Sequence, residues 1–409
     1  MSGVCQRLTG VLISLLVAAT LQGQTLRDRD PDLAGAKKLA AELQEANFHS
    51  GMFYLWSRFR IADAGYTEEA YLPTGEDSGG LALRVEAPQR FYFVPRRKIV
   101  FTAELTPGYN VISPGDEDSR VDYLARGDVH FLFNHLYLDV YTSRADQLRP
   151  LLAANELART RDDETGVAGE FKYSSRTSAQ FAVRYRKQQY PEDRFEEDDI
   201  PLALLDRSER NGRVSFVHKT FPLTSLFVSA EASQYEFSAD SRRDSSRRWA
   251  GAGFHLNSGR TALRVEAGPV RLDFDDPSQL DYSGLAGTAA VSRSSGHFTY
   301  SAGIGRDIGF AILAGNNFYV AETANARVGY SATRRLSLRG GVVAERHTYE
   351  VPVDGVRRRD TISFTSVGFD YGIRRLRFGV DAGWYERNTT TPDGDDSGIR
   401  YVVHLSFVP

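Results

Sequence analysis

Charged residues recur at alternate positions along much of this chain, with apolar residues between them. Arg84 and Glu86 sit among Leu81, Leu83, Val85 and Ala87, and Arg184 and Arg186 sit among Phe181, Val183 and Tyr185. The pattern returns with Arg264 and Glu266, with Arg339 among Leu336, Leu338, Gly340 and Val342, and with Arg377 and Asp381 among Leu376, Phe378, Val380, Ala382 and Trp384. Glu170 and Arg400 have the same parity in their own stretches. Guanidinium and carboxylate groups lining a common face form no bonds by themselves; their chemistry is electrostatic, a barrier that selects among ions passing between them.

Covalent chemistry has little to stand on. The eight histidines (His49, His130, His135, His218, His255, His297, His347 and His404) are scattered singly, no His/Cys group has zinc spacing, and no glycine-rich phosphate loop leads from a strand into a helix. His404 and Ser406 share a parity, which is ordinary lining of one strand face. No catalytic residue, metal or cofactor is expected. Acidic runs at Glu192, Asp193 and Glu196 to Asp199, at Asp116 to Asp118, and at Asp393, Asp395 and Asp396 offer oxygen ligands to hard cations, which could bridge to lipopolysaccharide phosphates. None completes a calcium-loop series, so they read as solvated surface.

The element that places every second side chain on one face is a β-strand. In the closing stretch Ile399, Tyr401, Val403, Leu405 and Phe407 fall on one side and Arg400, His404 and Ser406 on the other, with Val402 alone out of class. Residues 1–24 read as a cleaved signal peptide: Arg7 gives a positive start and Val11 to Ala19 an apolar core too short to span a membrane. The single cysteine, Cys5, precedes that core, so no disulfide or acylation site is expected beyond it. Residues 25–50 differ again. Asp30 and Pro31 start a helix whose Leu33, Ala36, Leu39, Ala40 and Leu43 form one stripe opposite Lys38, Glu42 and Glu45, with Asn47 ending it; it reads as a periplasmic helix at a barrel mouth, the alternatives being a lumen plug or a docking surface for a periplasmic partner.

From 51 to 409 the chain reads as an outer-membrane, antiparallel up-and-down β-barrel of eighteen strands, the first over 52–63 and the last over 398–408. Tight connections at 95–97, 134–135, 174–176, 257–259, 332–334 and 374–375 alternate with long ones at 64–79, 146–164, 189–207, 238–246, 349–358 and 389–397. Barrels of this class put short turns in the periplasm and long loops outside, so an even count returns both ends to the periplasm. Charge at mid-strand on the lipid face costs about 2–4 kcal/mol, so the charged parity must line the lumen. Tyr173, Tyr330, Tyr371 and Phe407 are expected to form one interfacial girdle and Tyr190, Tyr235 and Tyr349 the other. The mean hydropathy of −0.37 is compatible with this reading, because only alternate strand residues meet lipid. A net charge of −3 gives no support to nucleic-acid binding.

The stretches AGYTEEAYLP, APQRFYFVPRRKIVFTAELTPGY, YSATRRLSLRGGVVAERHTYE with the RRDTISFTSVGFDYGIRRLRFGVDAGWYERN that follows, and GIRYVVHLSFVP resemble outer-membrane porins of the "beta-barrel porin 2" type. The resemblance implies a barrel with no catalytic residues and, through some relatives, a possible role in exopolysaccharide export. The leading expectation is a porin-like channel for passive or partner-gated passage of solutes. The alternatives are an export barrel, with Tyr137, Tyr141 and Tyr385 facing inward toward sugar rings and a periplasmic partner at the helix, and an adhesive barrel with an occluded lumen. Outer-membrane lipid and lipopolysaccharide are the expected surroundings. Phe407 is followed by Val408 and Pro409, so recognition by the barrel assembly machinery through the last strand would work with an offset end.

Overall fold

The computed structural model describes residues 36–67, 80–96, 98–113, 120–151, 156–191, 202–311, 316–352, 356–390 and 395–408. The signal segment, the first part of the N-terminal helix and most of the acidic loop residues lie outside the described residues. Helix α1 (Ala36–Gln44) leads into the short hairpin β1 (Phe48–Ser50) and β2 (Phe53–Ser57). Then follow β3 (Phe59–Thr67), β4 (Gly80–Glu86), β5 (Gln89–Arg96), β6 (Ile99–Ser113), β7 (Arg120–Leu132), β8 (Leu136–Leu151) and β9 (Glu156–Lys172). Strands β10 (Thr177–Gln189), β11 (Arg207–Phe221), β12 (Thr224–Phe237), β13 (Ser245–Asn257), β14 (Thr261–Phe274) and β15 (Tyr282–Ser295) continue the wall. It finishes with β16 (Phe298–Phe310), β17 (Phe318–Ser331), β18 (Leu336–Tyr349), β19 (Arg359–Ile373), β20 (Leu376–Thr389) and β21 (Asp396–Phe407).

Each strand from β6 onward pairs antiparallel with its sequence neighbours, and β21 closes on β3 with Tyr401 opposite Tyr66 and Phe407 opposite Phe59. Two wall positions are built from two segments each. One strand path is broken at Arg58 between β2 and β3, and the next at Ala87–Pro88 between β4 and β5, where β6 pairs with both pieces. Pro88 has no N–H to give the ladder; its carbonyl instead accepts from Arg58 N at 3.1 Å. With these two paths counted once each and β1 as an edge addition, the barrel is closed with eighteen strands. Closure leaves no open edge for the membrane to solvate.

The parity expected from the sequence is the parity observed. Leu81, Val183, Leu338, Trp384, Tyr401 and Phe407 are exposed on the outer face, while Glu86, Arg184 and Glu345 are buried inside. Tyr173, Tyr330 and Tyr371 join Phe407 on the outer face at the short-turn end. Two of those turns place glycine at positive φ, Gly259 and Gly296, where a side chain would be strained.

Three features depart from the sequence reading. First, 146–164 is not a loop: β8 and β9 run on to Leu151 and from Glu156, with Asp146 opposite Arg161. Above the membrane both faces of a strand can be polar, so the hydrophobic alternation fades while the ladder continues. Second, Tyr190, Tyr235 and Tyr349 are not an outer girdle but are buried inside the barrel. They are an even number of residues from the inward Arg186, Glu231 and Glu345, and that parity decides their direction. Third, the described helix ends at Gln44, and Asn47 lies beyond it, its Nδ2 donating to Ser57 O at 2.5 Å. Leu39 and Leu43 pack on Tyr92, Val100, Tyr54, Val94 and Leu132, so α1 rests against the inner wall at the short-turn end.

Candidate functional site: the barrel lumen

The lumen is not uniform around its circumference. On the side formed by β9 to β14 the inward charges are paired, and all of those named here are buried or nearly so but Arg264, which stays exposed. Arg186 Nη2 lies 2.7 Å from Asp162 Oδ1, and Arg184 Nη2 lies 2.8 Å from Glu209 Oε1. Arg213 Nη2 donates to Glu266 Oε1 at 2.5 Å, and Arg264 Nη2 donates to the other oxygen of Glu266 at 3.1 Å. Arg247, fully buried, donates to Glu231 Oε1 at 2.5 Å and to Asp307 Oδ1 at 3.0 Å. Removing one partner of such a pair would strand a buried charge at a cost of about 3–5 kcal/mol.

Asp307 reaches Arg247 because the tip of the β16–β17 hairpin leaves the wall. Pairing between β15 and β16 stops at Gly287 and Arg306, and from Asp307 to Ala311 and from Phe318 to Ala321 every described residue is buried, whichever way it points. Phe310 meets Tyr235 and Phe237 edge-on with ring centroids 5.0 and 4.9 Å apart, and Phe318 lies against Phe274 and Tyr282. The connection before β11 folds in to meet them: Leu202 and Leu205, on a 3₁₀ turn, share this apolar cluster with Tyr190, Trp249 and Leu272. Arg243, on the turn between β12 and β13, fastens the assembly by donating to Leu204 O at 2.7 Å and to the carbonyls of Ala311 and Asn317. Burial, with Arg207 nearby, pushes its guanidinium down to about 10, so at neutral pH it still carries the charge that strengthens those bonds. Asn316 exchanges two hydrogen bonds with Val351, and Asn317 Nδ2 donates to Gln279 Oε1 at 2.6 Å. Together these form a plug over part of the outer mouth.

The rest of the wall, from β15 round to β4, stays wetter. Thr288, Ala290 and Ser292 of β15 point inward and are exposed. Arg60, Arg84, Arg339 and Asp381 keep 27% to 32% of their side chains exposed, while still pairing. Arg84 Nε is 2.6 Å from Glu86 Oε1, and Arg60 Nε donates to Glu86 Oε2 at 2.5 Å. Arg339 bridges Asp370 and Asp381, and His404 lies between the same two carboxylates, with Nε2 2.8 Å from Asp370 and Nδ1 3.3 Å from Asp381. Ser406 is not part of that ring. Glu170 sits 3.7 Å from Lys172, and Arg400 is half-buried on β21.

Arg377 is different: it forms no ion pair among the described residues. Neither does Arg58, which the sequence reading missed because it occupies the break between β2 and β3. Arg58 stacks over Trp56 at 5.0 Å from the ring centroid, and Arg90 approaches the same ring at 5.4 Å. Arg60, Arg90 and Arg377 all repel it, and only Glu45 of α1 is near enough to offset them. A second omission is His130, whose Nε2 is 2.9 Å from Thr102 Oγ1 and whose Nδ1 is 3.0 Å from Asp139 Oδ1 and 3.1 Å from the Tyr137 hydroxyl. All four groups belong to β6, β7 and β8, and with His130, Tyr137 and Asp139 buried and Thr102 half-buried they brace three strands from within.

Solved barrels share this architecture. The chain aligns with OccK2 (OpdF) of Pseudomonas aeruginosa at 11% identity and a TM-score of 0.50, covering 87% of this chain and 98% of that one. A BenF-like porin from Pseudomonas fluorescens Pf-5 matches at 9% identity and 0.51, covering 87% and 99%. Pseudomonas aeruginosa OpdK, solved with vanillate, matches at 10% and 0.52, covering 86% and 98%. At such identities the likeness is one of fold. No curated protein matches the chain. The family model described as "Putative beta-barrel porin 2" matches residues 153–406, from the start of β9 to the end of β21, and the chain belongs to this family of outer-membrane porins.

Proposed function

We propose that the barrel is a channel for small anionic solutes that pass along its wetter side, beside the plug and not through it. The observation that carries this reading is the pair of lumen cations with no ion-pair contact among the described residues, Arg58 and Arg377, whose nearest opposite charges, Glu45 and Asp370, lie beyond bonding distance, in a lumen whose other described charges are largely held in ion pairs. Within a confined pore such charges are poorly screened and lower the barrier for anions relative to cations. Partner gating and secretion through the inner membrane by a cleaved signal remain part of the same reading, as does assembly through the last strand.

Polymer export has less support. Tyr137, Tyr141 and Tyr385 do face inward, but all three are buried and Tyr141 donates to Glu164 at 3.0 Å, so none presents a free ring to a passing sugar. The test is the reversal potential of the refolded protein across a potassium chloride gradient. Arg58→Ser with Arg377→Ser should move it toward cation preference, while Arg213→Ser, in the sealed wall, should leave selectivity unchanged. Identical reversal potentials for wild type and the double variant would remove the basis of the proposal. OpdK has been solved with vanillate and OccK2 with glucuronate, which makes small carboxylates the first solutes to test as competitors of chloride.

A further inference from the structure

The outer face carries charges as well, in a belt near the long-loop end. Most are matched across strands: Arg144 with Asp163 at 3.5 Å, Arg210 with Glu236 at 3.1 Å, and Glu322 with Arg306 at 2.5 Å and Arg346 at 3.7 Å. Arg248 and Arg271 break the rule. They are direct cross-strand partners on β13 and β14, both exposed, and their neighbours Arg247, Trp249, Val270 and Leu272 are the buried inward residues, so both guanidinium groups point away from the lumen. Arg248 has no ion pair among the described residues, and Arg271 is bonded to Asp273 on its own strand, with Asp281 near enough to attract it as well. Like charges directly opposite one another destabilise a sheet. An anion seated between them would offset that penalty.

Height along the wall says which anion. Arg248 lies nine residues above the turn that begins after Asn257, which is about 30 Å of strand and about 23 Å of height at the usual tilt. The apolar band of such barrels is about 25 Å tall, so the pair sits where outer-leaflet headgroups begin. Beside and beneath it the outer face is low: Ala232 lies level with Arg248, and Ala230, Ala250, Ala252, Pro269 and Ala267 are exposed below, with Val214 on one side, Leu285 on the other and Val228 lower on β12. Such a trough accommodates an acyl chain that descends from the same headgroup.

We propose that Arg248 and Arg271 clamp a phosphate of the lipid A headgroup of lipopolysaccharide, with an acyl chain lying in the alanine trough below. Guanidinium groups bind phosphate through paired, charge-assisted hydrogen bonds, and Arg248 has no carboxylate partner among the described residues to compete for them. The test is native mass spectrometry of the detergent-refolded full chain with bisphosphorylated lipid A, monophosphorylated lipid A and phosphatidylglycerol. Wild type should retain bisphosphorylated lipid A, and Arg248→Ser with Arg271→Ser should weaken retention about tenfold. Arg210→Ser with Arg306→Ser, which removes the same charge from matched pairs, should change it little. All four positions are exposed, and heat-modifiable mobility on gels checks that each variant is folded. Equal retention by wild type and the Arg248/Arg271 variant would overturn the proposal, as would equal loss in the Arg210/Arg306 variant. Equal retention of phosphatidylglycerol, lost with the same arginines, would assign the site to phospholipid and overturn it as well.

Discussion

At the scale of single residues, the decisive quantity is parity. A one-residue step moves a side chain from lipid to lumen, and of the inward arginines named from the sequence Arg84, Arg184, Arg186 and Arg339 found carboxylates on other strands, Arg264 found Glu266 on its own strand, and Arg377 found no ion pair among the described residues. Which carboxylates they found was less legible. Asp122, Asp162, Glu209 and Asp370 come from other strands, and register, which the alternation alone does not give, decides who faces whom. Parity makes a direct prediction on β15. Ala289 faces lipid at mid-strand opposite the exposed Ile304, whereas Ala290 beside it faces the wetter lumen. Ala289→Arg should lose about 2–4 kcal/mol of folding stability in liposomes, and Ala290→Arg far less. Gly379, inward on β20, offers no such freedom, because a Cβ there would collide with the His404 ring. Urea titrations that gave both alanine variants equal midpoints would contradict the assigned faces.

At the scale of elements, the sequence shows strands wherever one face must be greasy, and loses them where that requirement ends. The upper parts of β8 and β9 illustrate this: they hold together through Asp146 accepting from Arg159 Nε at 2.6 Å and from Arg161, in a stretch with no apolar face to reveal it. The plug was hidden for a different reason. Its cluster joins Leu202, Tyr235, Trp249, Phe310 and Phe318 from segments far apart in sequence, and no local period encodes such a meeting. Arg243 is its fastening, so Arg243→Ala should free three carbonyls and loosen the hairpin tip. The expected outcome is a higher and noisier single-channel conductance with little loss of barrel stability, since the ladders do not depend on it. Helix α1 should behave likewise at the other end. Deleting residues 25–47 exposes Tyr92 and Val100 but leaves every barrel pairing intact, so the protein should stay heat-resistant on gels while its conductance changes. An unfolded band after that deletion would show that the helix is needed for closure.

At the scale of the whole molecule, eighteen strands could be counted from the sequence because turn lengths alternate and the ends must meet in phase. The two broken paths at Arg58 and Pro88 kept the count intact while shifting where strands stop, and they fall in the part of the chain before residue 153, ahead of the matched family region. The result is a lumen divided between a sealed, plugged side and a wetter side that carries Arg58 and Arg377 without ion-pair contacts among the described residues. Whether ions cross it is the central question, and single-channel recording of the refolded wild-type chain in planar bilayers answers it most directly. The account predicts discrete conductance steps without any partner, anion-selective in a salt gradient and enlarged by Arg243→Ala. A wild type and an Arg243→Ala variant that both insert, remain heat-resistant and pass no current would contradict it, and would mean that the plug closes the barrel completely.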